Sequence, residues 1–106
     1  MKKFAVIVLA VSIIGCSSQV QNGAIQLAYS NFNDRDYEDT LEYISQAEQT
    51  KQTNPELKAE LTYLKAQTYE KMGEYQKAKS LYKYLSVEHK SSQYGYLALE
   101  RLNQNL

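Results

Sequence analysis

One thiol and one imidazole are available to this chain of 106 residues, at Cys16 and His89. A Cys/His zinc module needs more ligands than these, and a disulfide or redox pair within one chain needs a second sulfur. His89 stands beside Lys90 in a predicted loop, with no carboxylate or cysteine set to orient it, so it reads as a solvated surface histidine rather than a general base. The acidic pairs Asp34/Asp36 and Glu38/Asp39 bracket a predicted helix start, where carboxylates neutralise free amides and the positive end of the helix dipole. For Asp34, Asp36 and Asp39 to hold calcium, an ordered loop would have to converge several oxygens. With 4 Gly and 1 Pro, neither a glycine-rich phosphate cradle nor a proline-rich ligand stretch is expected. The expectation is a chain that is not an enzyme and carries no cofactor or metal.

That leaves Cys16 to explain. Met1-Lys2-Lys3 precedes an apolar run from Phe4 to Ile14, interrupted only by the hydroxyl of Ser12. As a helix this run would rise about 16 Å, half of a roughly 30 Å hydrocarbon core, which favours a signal segment over a permanent span. It ends in Ile13-Ile14-Gly15-Cys16, followed by Ser17 and Ser18. This resembles the bacterial lipoprotein signal, in which a branched aliphatic residue stands three before an invariant Cys and a small residue directly before it. Ile13 and Gly15 match. The resemblance implies cleavage after residue 15 and a Cys16 that carries a diacylglyceryl thioether and an amide-linked acyl chain. Each buried methylene contributes about 0.8 kcal/mol, so several chains hold a domain firmly at a membrane. Ser17, where Asp would signal inner-membrane retention in enterobacteria-like sorting, implies the outer membrane with the domain facing the periplasm; another bacterial membrane surface is the alternative.

Cleavage would remove two of the 12 basic side chains and none of the 12 acidic ones, for a net charge of about −2. The remaining lysines alternate with glutamates instead of forming a basic footprint, so nucleic acid is not an expected partner. Lys77, Lys79 and Lys83 form a mild basic edge suited to lipid headgroups or an acidic partner, or simply a charged helix surface. Trp is absent, and ten Tyr against two Phe skew the chain toward rings with one polar edge.

The elements that carry these residues are helical. Residues 17–23 read as a polar tether, with order beginning near Ala24. Ala24, Leu27, Ala28 and Phe32 then mark one helix face, with Ile25 and Tyr29 on its flank. A polar turn over residues 31–36 leads to a helix over about 37–50 that repeats Tyr37, Thr40, Leu41, Ile44 and Ala47. Asn54 caps a third helix whose first residue is Pro55. It runs to Lys71, burying Leu57, Leu61, Leu64, Thr68 and Met72 while Glu60, Lys65 and Glu70 stay wet. Gly73 stops it, and Tyr75, Ala78, Leu81, Tyr82 and Leu85 mark a fourth helix. A loop over 89–92 precedes a fifth, from 93 to 103, whose apolar side holds Tyr96, Leu97, Leu99 and Leu102. No sustained period-two alternation supports strands.

The two hairpins superpose with a shift of 38 residues: Ala28 falls on Ala66, Tyr37 on Tyr75, Thr40 on Ala78, Ile44 on Tyr82 and Ala47 on Leu85. In residues 59–90, Ala66, Tyr69, Gly73-Glu74-Tyr75, Ala78 and Tyr82 resemble the tetratricopeptide unit, with its small residue in the first helix, its Gly-acidic-Tyr turn and its small residue three after that Tyr. In residues 24–54 the resemblance is thinner: Leu27 and Ala28 fit, Arg35-Asp36-Tyr37 replaces the turn and Thr40 takes the small site. Thr62 departs from the family's Trp and Lys65 from its Leu, and no Pro ends the unit near Lys90. The shift of 38 against the family's 34 residues puts about four extra residues in the 50–55 loop. The reading is an all-α fold of two tetratricopeptide-like antiparallel hairpins and a C-terminal capping helix, with a generic helical bundle as the alternative. The domains are residues 1–15 (signal peptide), 16–23 (lipidated N-terminus and tether) and 24–106 (helical domain).

In that family the first helices line a concave face for peptide segments. Carried over, the resemblance assigns a partner-binding groove to Ile25, Tyr29, Phe32, Asn33, Tyr63, Gln67, Glu70 and Lys71. For Tyr29, Phe32 and Tyr63 the alternative is packing against the capping helix or the tether. The implied function is a membrane-anchored, periplasm-facing interaction module without a reaction, such as an assembly or pilot factor for a pilus, secretion or outer-membrane complex. Its expected partners are the membrane, through the lipid on Cys16, another envelope protein or peptide segment, and a second copy in a homo-oligomer. A self-associating structural subunit, a cell-wall-enzyme adaptor and a membrane immunity protein are the alternatives.

Overall fold

The computed structural model describes residues 21–50 and 54–106. The expected signal peptide, Cys16, the expected tether up to residue 20 and residues 51–53 lie outside the described residues. Among the described residues five helices succeed one another: α1, described over 21–33, α2 (Tyr37–Glu48), α3 (Pro55–Lys71), α4 (Tyr75–Glu88) and α5 (Gln93–Asn103). The chain is all-α, two packed hairpins (α1–α2 and α3–α4) plus a capping helix, in a generic helical-repeat arrangement. Among the described residues no helix is long and apolar enough to cross a membrane.

Start and stop chemistry is set by the local sequence. Asn54 Oδ1 accepts from the Leu57 amide at 2.7 Å, with Pro55 in the first turn where its missing N–H costs nothing. Ser92 caps α5 by accepting from the Tyr94 amide at 3.1 Å. Asp36 makes no such side-chain bond at the start of α2, so the acids there act through the helix dipole rather than as caps. At the other boundary the expected tether is shorter than its polar composition suggests. Residues 21–23, expected in the tether, are already helical, and buried Gln21 donates from Nε2 to the Ala47 carbonyl at 3.3 Å. This bond ties Gln21 of α1 to the end of α2.

The 38-residue repeat is visible in the backbone. At the α3–α4 turn the amides of Met72, Gly73, Glu74 and Ala78 donate to the carbonyls of Thr68, Glu70, Tyr69 and Glu74. At the α1–α2 turn those of Asp34, Arg35, Asp36 and Thr40 donate to Ser30, Phe32, Asn31 and Asp36, the same four bonds shifted by 38. The shared geometry requires a left-handed residue after each first helix. Gly73 supplies it at φ 80°, and Arg35 is forced into it at φ 65°.

Two small cores share α3. Ala24, Ala28, Ile44 and Ala47 meet Leu61 and Leu64 on one side. On the other, Ala59 and Ala66 meet Ala78, Tyr82, Leu85 and Ala98. Buried Thr40 and Thr68 return their hydroxyls to the carbonyls of Asp36 and Leu64, at 2.8 and 2.7 Å, and so bring no unpaired polar atom inside.

Three expected faces are displaced. In α5 the buried residues are Gly95 and Ala98, with Tyr94 and Leu102 packed beside them, whereas Tyr96 is 60% and Leu99 49% exposed. The face is chosen by close approach rather than by hydrophobic bulk. A Cβ on Gly95 would lie 2.0 Å from the His89 carbonyl oxygen. Leu27, 46% exposed, is turned outward while Ala24 and Ala28 make the contact, and Met72 lies beyond the end of α3 on the surface. The departures in α5 and at Leu27 have the same origin: small residues occupy the seams and larger neighbours are left outside.

Gly95→Ala should therefore cost about 3 kcal/mol, the upper end for overpacking against backbone that cannot yield. Gly73 has open space around its Cα, so Gly73→Ala should cost only the left-handed strain, about 1 kcal/mol. Arg35→Gly should raise stability by up to about 1 kcal/mol by relieving that strain in the first turn. Urea unfolding of the three variants checks the ranking.

Candidate interaction site on the α1–α3–α5 face

α3 presents two stripes to its surroundings. Glu60, Tyr63, Gln67 and Glu70, at three- and four-residue spacing, face α1 and α5; Lys58, Thr62, Lys65 and Tyr69 face the groove between α2 and α4. The first stripe contains three of the residues expected in a partner groove, and the structure shows what each is doing.

Tyr29, half-buried on α1, donates its hydroxyl to Glu60 Oε2 at 2.7 Å, bridging the first helices of the two hairpins. Burial and the Glu60 carboxylate push its phenol well above the ordinary 10. Ile25 and Phe32 are half-buried against the first core, and the Phe32 ring stands edge-on to Tyr37 with centroids 5.7 Å apart. Tyr63 is wedged between Tyr82 of α4 and Tyr94 of α5, at 5.8 and 5.7 Å between centroids. Asn33 and Lys71 are exposed, and Gln67 is half-buried.

Glu70, expected to stay wet, is instead the hub of a polar cluster. Arg101 Nε donates to its two carboxylate oxygens at 3.0 and 3.1 Å, Arg101 Nη2 closes an ion pair with Oε2, and the Tyr82 hydroxyl donates to Oε1 at 2.9 Å. The Arg101 guanidinium, first, and the Tyr82 hydroxyl hold the Glu70 carboxyl below its ordinary value of 4.5, against the opposing effect of burial. Tyr82 is 1% exposed, and burial followed by the bond to Glu70 raises its phenol strongly. A fully buried tyrosine requires a partner for its hydroxyl, and Glu70 supplies it while being neutralised by α5.

The structure thus joins Tyr29 with Glu60, and Tyr63 and Glu70 with α5, but it does not gather the eight expected residues into one open groove. Tyr63 and Glu70 pack on the capping helix; Tyr29, Asn33 and Lys71 retain exposure on the same side of the molecule. Glu60, Tyr94 and Arg101 complete the face without having been expected in it. No local pattern marked Arg101, because its partner Glu70 on α3 lies 31 residues away in the sequence. Among the described residues no group of three or more His, Cys, Asp or Glu is placed to hold a metal ion, and His89 lies 5.6 Å from the Tyr84 ring, between centroids. Compared with known proteins, the chain matches no family model, no curated protein and no solved structure.

The depressed Glu70 carboxyl gives a pH signature. Its contribution to stability is present above the unfolded value of about 4.5 and is lost as pH falls through the lower folded value. Glu70→Gln should cost about 1 kcal/mol at pH 7 for a partly exposed pair. The gap between the two proteins should close below about pH 4.5, measured as the difference in Tm from pH 7 down to pH 3.

Proposed function

We propose that this chain is a membrane-anchored interaction module of tetratricopeptide-like hairpins, an assembly or pilot factor for an envelope machine such as a pilus, secretion channel or outer-membrane complex. The observation that carries the reading is the row of first helices: α1, α3 and α5 line one face, and the same turn geometry closes both hairpins 38 residues apart. Ala66, Tyr69, Gly73-Glu74-Tyr75, Ala78 and Tyr82 support the tetratricopeptide resemblance for the second hairpin. Partner contact falls to the exposed part of the α1–α3–α5 face, around Tyr29, Asn33 and Lys71, because Tyr63 and Glu70 are engaged by α5.

The anchor is Cys16, acylated and facing the periplasm from the outer membrane, on the strength of its lipoprotein-like context. Five residue steps separate Cys16 from Gln21, which at 3.3–3.6 Å per residue is a reach of at most about 18 Å. At that reach Gln21 lies within about 18 Å of the lipid-bearing residue, whatever the path between them, so the domain stands close to the lipid surface. The end of the bundle that carries Gln21 and the end of α2 lies toward the bilayer, and the turns at 34–36 and 72–74 lie at the other end.

Two measurements test this. Mass spectrometry of membrane-extracted protein should find Cys16 as an acylated first residue; a chain that retains Met1 with an unmodified thiol overturns the anchor. In-cell photo-crosslinking from positions 29 and 71 should capture a different envelope protein. Capture of such a protein only from position 80, on α4, overturns the assignment of the partner face.

A further inference from the structure

Charge is divided unevenly along the described chain. Residues 21–50 hold six acidic side chains and one basic, Arg35, whereas residues 54–106 hold eight basic and six acidic. The division falls between two helices, the acidic α2 and the basic α4. α2 and α4 are both antiparallel to α3, flank it, and therefore run in the same direction. Between them the second stripe of α3 forms the floor of two adjoining depressions. One, of about 280 Å³, is lined by Lys65, Tyr69, Lys77, Ser80 and Leu81. The other, of about 180 Å³, is lined by residues of all three helices, Glu48 of α2, Lys58 and Thr62 of α3, and Tyr84 of α4, together with His89 beyond it.

Among the described residues the ion pairs are Lys65–Glu48 and Glu70–Arg101. Glu38 and Glu42 on α2, and Lys77, Lys79 and Lys83 on α4, thus have no partner of opposite charge there. Crowding on α2 is marked: the Asp39 carboxyl is raised above its ordinary value by its hydrogen bond with Asp36, then by the charges of Asp36, Glu42 and Glu38. Lys77 Nζ instead sits 5.3 Å from the Tyr69 ring centroid. On α4, Tyr84 and Val87 are exposed, 67% in the case of Val87, and Leu81 is half-buried, so apolar surface accompanies the basic residues.

We propose that a second copy of this chain docks on the α2–α3–α4 face about a two-fold axis over α3, so that the acidic α2 of each copy lies on the basic α4 of the other. Charge complementarity selects this occupant. An anionic lipid surface attracts α4 but repels α2 on the same face, and an acidic peptide leaves the acids of α2 uncompensated. A second copy supplies both signs in the required places. A half-turn about an axis that lies in the contact plane and runs along α3 turns the second copy face down and exchanges the two flanks, so each α2 meets a partner α4 running parallel to it, and the contact closes at two copies. Tyr69, Leu81, Tyr84 and Val87 then provide apolar contact inside a charged rim. The dimer leaves the α1–α3–α5 face free and does not depend on the lipid anchor.

The test is sedimentation of the full-length protein in density-matched detergent, with circular dichroism to confirm folding. The wild type should sediment as a two-copy species that weakens as salt rises. Glu38→Lys/Glu42→Lys and Lys77→Glu/Lys83→Glu should each weaken self-association at least tenfold, because each reversal is felt at both contacts. An equimolar mixture of the two variants should restore the two-copy species, since both of its contacts again join opposite charges. A monomeric wild type, assemblies larger than two copies, variants that dimerise unchanged, or a mixture that stays monomeric would each overturn the proposal.

Discussion

Helices that meet at alanine and glycine bring their backbones together without large side chains between them, and both cores of this chain are built that way. Ala24, Ala28 and Ala47 do so in the first core; Ala59, Ala66, Ala78 and Ala98, with Gly95 beside them, do so in the second. Backbones this close leave little room for bulk, so each core has few large members: Ile44, Leu61 and Leu64 in one, Tyr82 and Leu85 in the other. The fold is consequently sensitive to added volume at its seams, where packing is dense and relaxation limited.

Tyr82 shows how this constraint reaches the surface. A tyrosine takes the place that Ile44 holds in the first hairpin, and its hydroxyl must be satisfied at the core boundary. Glu70 does this, which places a carboxylate in a partly desolvated position, and Arg101 from α5 offsets the charge. The capping helix is therefore held by two different means, the glycine–alanine seam against α4 and the charge cluster against α3. With the inner stripe of α3 so occupied beside α5, the remaining exposure on that side lies toward α1. The outer stripe remains a shallow groove between helices of opposite charge.

The helices themselves were legible because their determinants are local. The Asn54-Pro55 start, the Gly73 stop and the three- and four-residue spacings of Thr40, Ile44 and Ala47, or of Ala78, Tyr82 and Leu85, act within a turn or two of chain. The repeat was legible for the same reason, since the small positions and the tyrosine after each turn recur at a fixed interval; that Arg35 takes the left-handed place of Gly73 emerged only in the fold. The candidate face was legible only in part. Tyr29 and Tyr63 stand on first helices, but whether a tyrosine there meets a partner or a neighbouring helix depends on which element is packed against it. Glu70 gave no sign of burial, because a glutamate near a helix end is ordinarily solvated and its partner lies 31 residues away.

Backbone propensity, capping and periodicity, all readable along the chain, were enough to set the all-α class, the number of helices, the α2–α5 limits to within about two residues, and the kinship of the two hairpins. Three features arose only when the helices packed. α1 already includes residue 21 through the bond from Gln21 to Ala47, α5 buries Gly95 and Ala98 rather than Tyr96 and Leu99, and Glu70 belongs to a partly buried cluster. Hydrophobic bulk is a property of single residues and can be read along a chain. Close approach is a property of two surfaces, and a carboxylate's environment is set by residues far from it in sequence; neither exists until the helices have met.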